Sequence, residues 1–182
     1  MASMLFTVGH STRSVEELVR LLTDSGVDLL VDVRSFPRSR ANPQFNAEVL
    51  PAALAAAGIN YRHLEALGGR RGPQGRDTPS PNTHWRRAGF RNYADYAMTS
   101  RFRLGLDTLR DLARSHSCAI MCAEAMWWRC HRQIIADYLL AAGHDVVHIL
   151  GPGKSEPARL TPGAEPQADG TVHYPGAQDS LL

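Results

Sequence analysis

The chain has 182 residues, of which 43% are hydrophobic and 21% are charged, and its net charge at pH 7 is +2. This length fits one domain with a substantial core, and the balance of residue types excludes a disordered chain. The small net charge gives no whole-protein argument for a nucleic-acid partner. However, 19 of the 20 basic residues are arginines, and the planar guanidinium suits bidentate contacts with phosphate or carboxylate.

The first half of the chain alternates strand-like and helix-like segments. Apolar runs predict strands in "MLFTVGH", "VDLLVDVRS" and "NYRHL". Helical spacing predicts helices in "SVEELVRLLTDSG" and "NAEVLPAALAAAGI". Ser14 with Glu17 three residues later has the capping-box pattern, so the first helix is expected to begin directly after Ser14.

The second half begins with an irregular segment from Gly68 to Asn92 that is rich in Gly, Pro and Arg. A loop of this length inside a compact domain is usually functional or disordered. The next segment, "YADYAMTSRFRLGLDTLRDLARSH", predicts a helix that is broken near Thr99 and Ser100. It is followed by a predicted strand, helix and strand in "CAIMCAE", "RCHRQIIADYLLAAG" and "DVVHIL".

This alternation predicts a single α/β domain over residues 1–150, in which helices flank a mostly parallel sheet in a Rossmann-like, three-layer arrangement. The Pro/Gly-rich residues 151–182 are expected to form a C-terminal extension that wraps the surface or is partly disordered. Neither a signal peptide nor an apolar run near the roughly 20 residues of a membrane helix is present. We therefore expect a cytoplasmic protein that has no membrane partner and, with three cysteines, no disulfide framework.

Ionisable residues occur at the ends of four predicted strands. Ligands of parallel α/β sheets bind beyond the carboxyl ends of the strands, so these residues predict one shared cleft. The candidate catalytic residues are His10, Asp32, Cys122, Glu124, Cys130 and His148.

Glu124 follows a strand, and partial burial there would raise its pKa and make it a general acid or base. Its alternative role is a structural carboxylate that caps a helix or pairs with an arginine.

Cys122 and Cys130 are candidates for thiolate chemistry, because a helix start and a neighbouring Arg129 or Arg132 would lower a thiol pKa. The alternative is that both are small buried apolar residues, which is the interpretation favoured for Cys118. The spacing of seven residues between Cys122 and Cys130 is not a recognised zinc motif, so no metal ligands are assigned.

Arginines and hydroxyl side chains cluster near the predicted strand ends and in the irregular segment. Arginine interleaved with aromatic residues suits phosphate binding and base stacking, although many surface arginines are simply solvated. The pattern predicts an anionic ligand, either a nucleotide or a nucleic acid. The candidate phosphate-binding residues are Ser11, Arg34, Ser35, Arg38, Arg40, Arg70, Arg71, Arg129, His131 and Arg132.

Six blocks of sequence in order carry a family resemblance: "TVGHSTRS", "LLVDVRSFPRSRANPQFN", "HLEALGGRR", "FRNYADYAM", "IMCAE" and "RCHRQIIADYLLAAGHDVVHI". From about Leu5 to Ile149 the chain resembles the DUF488 family of uncharacterised proteins. The resemblance implies an α/β domain but no reaction. It also implies a signature that includes His10, Ser11, Asp32, Arg34, Ser35, Arg38, Cys122, Glu124, Cys130, His131 and Arg132.

A second resemblance concerns "LLVDVR", which is similar to a strand of rhodanese-type sulfurtransferases. Those enzymes place a nucleophilic cysteine at a later strand end, in an anion-binding loop closed by an arginine. Here the residues after Cys122 read "AEAMWWR", so the loop contains an acid and is one residue longer than the five-residue phosphatase-type spacing. A carboxylate in such a loop would repel an anion.

Three functions follow from these patterns. The leading one is an enzyme, with hydrolysis as the simplest reaction, that processes a phosphate-bearing nucleotide or nucleic acid. In it, arginines bind phosphate while Glu124, with Asp32 or a histidine, transfers protons. The alternatives are cysteine-based sulfur or redox chemistry at Cys122 or Cys130, and a non-catalytic nucleic-acid-binding module that uses residues 70–93. The sequence assigns no cofactor and no oligomeric state.

Overall fold

The computed structural model describes residues 3–176, and within them strands and helices alternate along most of the chain. The strands are β1 (Met4–Gly9), β2 (Leu29–Asp32), β3 (Asn60–His63), β4 (Cys118–Cys122), β5 (Asp145–Gly151), β6 (Lys154–Pro157), β7 (Glu165–Pro166) and β8 (Val172–His173). The α-helices are α1 (Val15–Asp24), α2 (Leu50–Ala55), α3 (Ala88–Tyr96), α4 (Ser100–Leu112) and α5 (Arg132–Ala141).

Six of the strands form one sheet in the order β3-β2-β4-β1-β5-β6. The pairs among β1 to β5 are parallel, and β6 runs antiparallel to β5. The separate β7 and β8 pair antiparallel with each other. The predicted α/β class with a mostly parallel sheet is therefore confirmed. In this order β4 lies between β2 and β1, which places the ends of three strands side by side.

Two hydrophobic clusters cover the two faces of the sheet, and β4 contributes to both. Ile120 packs in a cluster with residues of α3, α4 and α5, whereas Met121 packs with residues of α1 and α2. Successive side chains of a strand point to opposite faces, so a strand that is buried on both faces reads as a continuous apolar run. The helices thus form layers above and below the sheet, as the sequence predicts.

Helix α1 begins as its sequence predicts. The Ser14 hydroxyl accepts a hydrogen bond from the Glu17 backbone N–H at 3.1 Å, and Ser14 has extended backbone angles. The Glu17 carboxylate forms an ion pair with Arg13 at 2.8 Å. Ser14 therefore caps the helix while the Glu17 side chain is held by Arg13.

Several element boundaries differ from the predictions, and two of them bear on the site. Helix α3 begins at Ala88, so the last five residues of the predicted irregular segment are helical. These residues form the first turn of a helix whose later residues Tyr93 and Ala94 pack in the core. Strand β5 continues to Gly151 because it pairs with β6 up to Lys154. His148 therefore lies within a strand and not at its end.

The C-terminal residues up to 176 pack onto the α/β domain. They supply β6 to the main sheet and the β7–β8 hairpin beside α5. Tyr174 is fully buried, and its hydroxyl donates a hydrogen bond to Asp137 Oδ2 of α5 at 2.9 Å. Residues 177–182 of the predicted extension lie outside the described residues. Across the described part of the chain, every helix is too short or too polar to cross a membrane.

The bond between Tyr174 and Asp137 gives a test of this packing. We expect Tyr174→Phe to lower the free energy of unfolding by about 1–3 kcal/mol, because a buried carboxylate loses a hydrogen-bond donor. Urea unfolding followed by circular dichroism measures the change. His173→Ala in the same hairpin is the control and should change stability by less than about 0.5 kcal/mol. Equal stability of wild type and Tyr174→Phe would show that this segment does not contribute to the core.

Candidate functional site

A cavity of about 930 Å³ lies at the carboxyl edge of the sheet, where β1, β2 and β4 end. Cys122 is the last residue of the central strand β4. His10 follows β1 on one side of it, and Arg34 follows β2 on the other side. Cys130, just before α5, also lines the cavity. The parallel sheet therefore brings together residues that are far apart in the sequence, as the predicted cleft requires.

Two thiols form the floor of this cavity. The Sγ atoms of Cys122 and Cys130 are 2.7 Å apart, and both cysteines are free. Cys122 is 3% exposed and Cys130 is 6% exposed. The pair is therefore shielded from bulk water but open to a small molecule in the cavity.

Arg132 lies beneath the two thiols and is 1% exposed. Its Nε donates to Cys122 Sγ at 3.0 Å, and its backbone N–H lies 3.3 Å from Cys130 Sγ. Its Nη2 donates to the Glu124 carbonyl at 2.6 Å, and its Nη1 donates to Thr7 Oγ1 at 3.2 Å. Within residues 3–176 no carboxylate forms an ion pair with Arg132. A buried guanidinium in this position strongly favours a negative charge on a neighbouring sulfur.

The two thiols titrate differently. Burial alone would raise the pKa of Cys130, but the hydrogen bond from the Cys122 thiol and the Arg132 guanidinium outweigh burial and lower it to about 7. Burial and the hydrogen bond with Cys130 raise the pKa of Cys122 well above its usual value. Of the two coupled thiols, Cys130 therefore has the lower pKa and is the candidate thiolate, with the Cys122 sulfur at hydrogen-bond distance.

His131 is oriented toward Cys130. Its Nε2 donates to the Val33 carbonyl at 2.7 Å, so Nδ1 is the nitrogen that faces Cys130 Sγ, at 3.4 Å. Burial lowers the pKa of His131, so its neutral form can accept a proton from the thiol. Gly69 packs directly on the ring, and a Cβ there would lie 2.4 Å from Nδ1. Only glycine fits there without moving the histidine.

His10 and Arg34 form a fixed wall beside the thiols. Arg34 is bidentate to Asp32, at 2.9 and 2.6 Å, and also donates to the Phe45 carbonyl at 2.7 Å. His10 Nδ1 is 2.9 Å from the Ser11 carbonyl, and its Nε2 is 3.3 Å from Arg34 Nη1. Burial lowers the pKa of His10, which fits a neutral ring that accepts from Arg34. Asp32 is thus a structural partner of Arg34, without exposure to the cavity.

Six arginines and one acidic residue line the cavity. They are Arg34, Arg38, Arg40, Arg70, Arg87, Arg129 and Glu124. Arg38 pairs with Glu48, and Arg70 lies over the Phe36 ring at 5.9 Å. In the described part of the chain, the side chains of Arg40, Arg87 and Arg129 form neither hydrogen bonds nor ion pairs. These exposed arginines give the cavity a positive potential that suits an anion.

Most of the predicted site residues line the cavity. They are His10, Arg34, Ser35, Arg38, Arg40, Arg70, Cys122, Glu124, Cys130, Arg129 and His131. Ser11 is absent from the lining and has a left-handed backbone conformation, with φ of 47°. Arg71 is held away by an ion pair with Glu65 at 3.2 Å and by the Tyr96 ring.

Two candidate catalytic residues have surroundings that differ from the others. Glu124 lines the cavity, but its side chain is exposed and not partly buried. His148 lies in β5 outside the cavity lining, where it stacks on Trp127 at 4.4 Å. Its Nδ1 is 2.7 Å from Thr7 Oγ1, and burial and then Arg132 lower its pKa to about 4. It is therefore a neutral structural histidine behind Arg132.

Two residues of the site were not singled out in the sequence. Phe36 lines the cavity, and Gly69 packs against His131. Arg87 and Tyr93, which belong to the predicted arginine- and aromatic-rich residues 70–93, also line the cavity. Gly9 allows the loop after β4 to approach β1, since a Cβ there would lie 1.9 Å from the Glu124 carbonyl oxygen. The adjacent glycines in "LGGRR" could have indicated a close backbone approach. No comparable feature of the sequence indicates that the side chains of Phe36 and Arg87 point toward the cavity.

The described residues contain no group of three or more His, Cys, Asp or Glu side chains arranged to hold a metal ion. The cysteines and histidines at the cavity floor are engaged with Arg132, Val33 and Ser11.

The fold and the site define an α/β protein whose central strand ends in a cysteine–arginine cluster. Residues 14–139 match the family model described as "Domain of unknown function DUF488", and the chain belongs to this family. The match includes Cys122, Cys130 and Arg132, whereas β1 and His10 precede it. No curated protein and no solved structure matches the chain.

The different thiol pKa values give a direct prediction. We expect iodoacetamide to alkylate Cys130 with a pH midpoint near 7, because the thiolate is the reactive form. Peptide mass spectrometry after short labelling pulses between about pH 5 and pH 10 measures the midpoint. Cys118 is the internal control, since burial raises its pKa to about 12 and it should stay unlabelled.

In the variant Arg132→Gln, we expect the pH midpoint of Cys130 alkylation to move upward, because the buried positive charge is removed. Arg129→Gln is the matched control, since Arg129 is an exposed arginine of the cavity lining, and it should leave the midpoint in place. A Cys130 midpoint that does not respond to Arg132→Gln in a folded protein would contradict the assignment of Arg132 as the charge partner.

Proposed function

We propose that this chain is an enzyme that binds an anionic, phosphate-bearing substrate in the arginine-lined cavity and reacts with it through the Cys130 thiolate. The observation that supports this most directly is the buried Arg132, whose guanidinium donates to Cys122 Sγ and whose backbone N–H donates to Cys130 Sγ. Among residues 3–176 its guanidinium forms no ion pair with a carboxylate. The proposal joins the anionic ligand expected from the arginines with the thiol chemistry that the sequence left as an alternative.

The charge of Arg132 argues for a reactive and not merely structural thiol. A buried cation is costly unless a negative charge or several hydrogen bonds compensate it. Arg132 has carbonyl and hydroxyl acceptors, but its Nε is directed at the sulfur of Cys122. Placing an arginine under a thiol pair keeps a thiolate available at neutral pH, which nucleophilic catalysis requires.

His131 and Cys122 complete the activation of Cys130. The Nδ1 atom of His131 is in position to accept the Cys130 proton, while its Nε2 is held by Val33. This is the nucleophile–base–orienting group arrangement of covalent catalysis, with a backbone carbonyl as the orienting group. The Cys122 sulfur lies 2.7 Å from Cys130 Sγ, at a distance from which its S–H can donate to a thiolate there.

The cavity suits a ligand of nucleotide size. Its volume of about 930 Å³ is near the upper end of the range for small-molecule sites, about 300–1,000 Å³. Arg40, Arg87 and Arg129 can bind phosphate oxygens, and the Phe36, Phe90 and Tyr93 side chains supply apolar lining. Charged rims combined with apolar walls are typical of sites that hold a phosphorylated organic molecule.

Acid–base hydrolysis through Glu124 is the second candidate, because Glu124 lines the cavity in the loop after β4. Glu124 has less support than the thiol pair, because its side chain is exposed and accepts one hydrogen bond in the described residues, from the Met126 backbone N–H. If Glu124→Gln abolishes turnover of a phosphate-bearing substrate while Cys130→Ser does not, this second candidate replaces the first.

Anion binding can be tested without knowing the reaction. We expect adenosine nucleotides to bind the wild type at low salt, and Arg87→Gln and Arg129→Gln each to weaken binding by about tenfold, as for loss of a charge-assisted hydrogen bond. Isothermal calorimetry measures the affinity. Arg114→Gln is the control, because Arg114 is 82% exposed and pairs with Asp111 outside the cavity lining. Equal binding by all four proteins would contradict a ligand site in this cavity.

The ligand and the thiol should also be coupled. We expect a saturating nucleotide to slow alkylation of Cys130 by at least about fivefold, because the ligand and the reagent share one enclosed site. The Arg87→Gln variant should show less protection at the same nucleotide concentration. A short single-stranded oligonucleotide is tested in parallel. If the oligonucleotide binds tightly without protecting Cys130, the result supports a non-catalytic nucleic-acid-binding module instead.

A further inference from the structure

Cys122 is closer to Cys130 than its role as a hydrogen-bond donor requires. The two sulfurs are 2.7 Å apart, both line the cavity, and they come from different elements, the end of β4 and the residue before His131 and α5. A serine or a backbone N–H could donate to the Cys130 thiolate equally well. A second thiol differs from these donors in one respect, which is that it can form a covalent bond with the first.

We propose that Cys122 and Cys130 form a dithiol–disulfide pair that reduces a small, anionic disulfide, with Cys130 as the attacking thiol and Cys122 as the resolving thiol. This inference rests on the proposed function, because it uses the Cys130 thiolate and the arginine-lined cavity. It adds the reaction class and the chemical nature of the substrate.

The reaction takes place in two exchange steps. The Cys130 thiolate attacks one sulfur of the substrate disulfide, the substrate S–S bond breaks, and one half leaves as a thiolate. The Cys122 sulfur then attacks Cys130 Sγ, the bond between Cys130 and the second half breaks, and a disulfide forms between Cys122 and Cys130. The proton of the Cys122 thiol ends on a leaving thiolate. The substrate gains two electrons, the cysteine pair loses two, and a second thiol compound must reduce the pair for another turnover.

Arg132 favours the reduced form of the pair. In that form its buried charge lies beside the thiol pair, with Nε 3.0 Å from Cys122 Sγ and the backbone N–H 3.3 Å from Cys130 Sγ. In the disulfide both sulfurs are neutral, and the charge loses the compensation that a thiolate of the pair provides. No carboxylate of the described residues takes over this compensation, because none of them forms an ion pair with Arg132. A dithiol whose reduced form is stabilised in this way gives an oxidising disulfide. Such a pair is readily returned to the dithiol form by a thiol compound, and its oxidation by a substrate disulfide requires that disulfide in excess over its thiol products.

The cavity lining selects the charge of the substrate. Arg40, Arg87 and Arg129 surround the entrance to the two thiols, with Glu124 as the one acidic residue of the lining. Carboxylates of a peptide disulfide or phosphates of a nucleotide disulfide carry the same negative charge. Both would be held by the same guanidinium groups.

The products of a single turnover test the roles of the two cysteines. The reduced full chain is mixed with glutathione disulfide, and the products are identified by intact and peptide mass spectrometry. Wild type should form the Cys122–Cys130 disulfide and release both halves of the substrate. Cys122→Ser should stop at a mixed disulfide on Cys130 with one half released, and Cys130→Ser should react at least about tenfold more slowly. Cys118 should stay free in every protein.

A charge series of disulfides tests the substrate class. Glutathione disulfide and coenzyme A disulfide should react with wild type at least about tenfold faster than neutral hydroxyethyl disulfide, and cationic cystamine should be slowest. The advantage should shrink at high salt because the charges are then screened. The faster of the two anionic compounds shows whether carboxylate or phosphate is the preferred source of charge. Equal rates across the series, or cystamine as the fastest, would overturn the anionic substrate.

The inference and the proposed function fail in different ways. If Cys130 titrates near pH 7 and nucleotides bind, but wild type and Cys122→Ser both stop at the same mixed disulfide, the resolving role of Cys122 is wrong and the thiolate enzyme stands. If the pH midpoint of Cys130 alkylation is not lowered and no anion binds, the proposed function is wrong as well.

The role of Arg132 is tested by the equilibrium between the dithiol and the disulfide. In glutathione buffers of fixed composition, we expect the equilibrium constant for formation of the Cys122–Cys130 disulfide to be at least about tenfold larger in Arg132→Gln than in wild type. An unchanged constant in a folded variant would refute the stabilisation of the reduced form.

Discussion

The buried guanidinium of Arg132 is the interaction on which the rest of the site depends. It joins β1 through Thr7, β4 through Cys122 and the loop after β4 through the Glu124 carbonyl, and its own backbone begins α5. One charge therefore sets the positions of three separate parts of the chain. Because the charge is compensated mainly by sulfur and by uncharged oxygen acceptors, the stability of the site and the ionisation of the thiols are linked.

The three buried or partly buried histidines near this charge all have lowered pKa values, with burial as the largest cause. They nevertheless have different roles. His131 faces a thiol, His10 faces Arg34, and His148 lies behind Thr7 with its ring stacked on Trp127. As neutral rings they add no further positive charge beside Arg132. The other buried arginine of the cavity lining, Arg34, has its charge compensated by Asp32.

Sequence periodicity predicted the alternation of strands and helices and therefore which residues would meet at the carboxyl edge of the sheet. It could not separate Arg129 from Arg132, which flank Cys130 in the sequence. The first is exposed on the cavity lining, whereas the second begins α5 and turns into the core. The exposure of Glu124 and the position of His148 outside the cavity lining could not be predicted for a similar reason. Side-chain direction in an irregular loop, and the extension of β5 by β6, depend on contacts that no local pattern contains.

The position of β4 in the sheet has a consequence for how the protein can vary. Central strands exchange their amide hydrogens most slowly, because they open only when much of the domain unfolds. Cys122 is attached to such a strand, while Arg40, Arg70 and Arg87 belong to irregular segments whose backbone is not part of the sheet. In the proposed function, substitutions in those segments alter which anion is bound while Cys122 keeps its place in the sheet. The proposal therefore predicts that chains of this family share the cysteine chemistry and differ in the compounds on which they act.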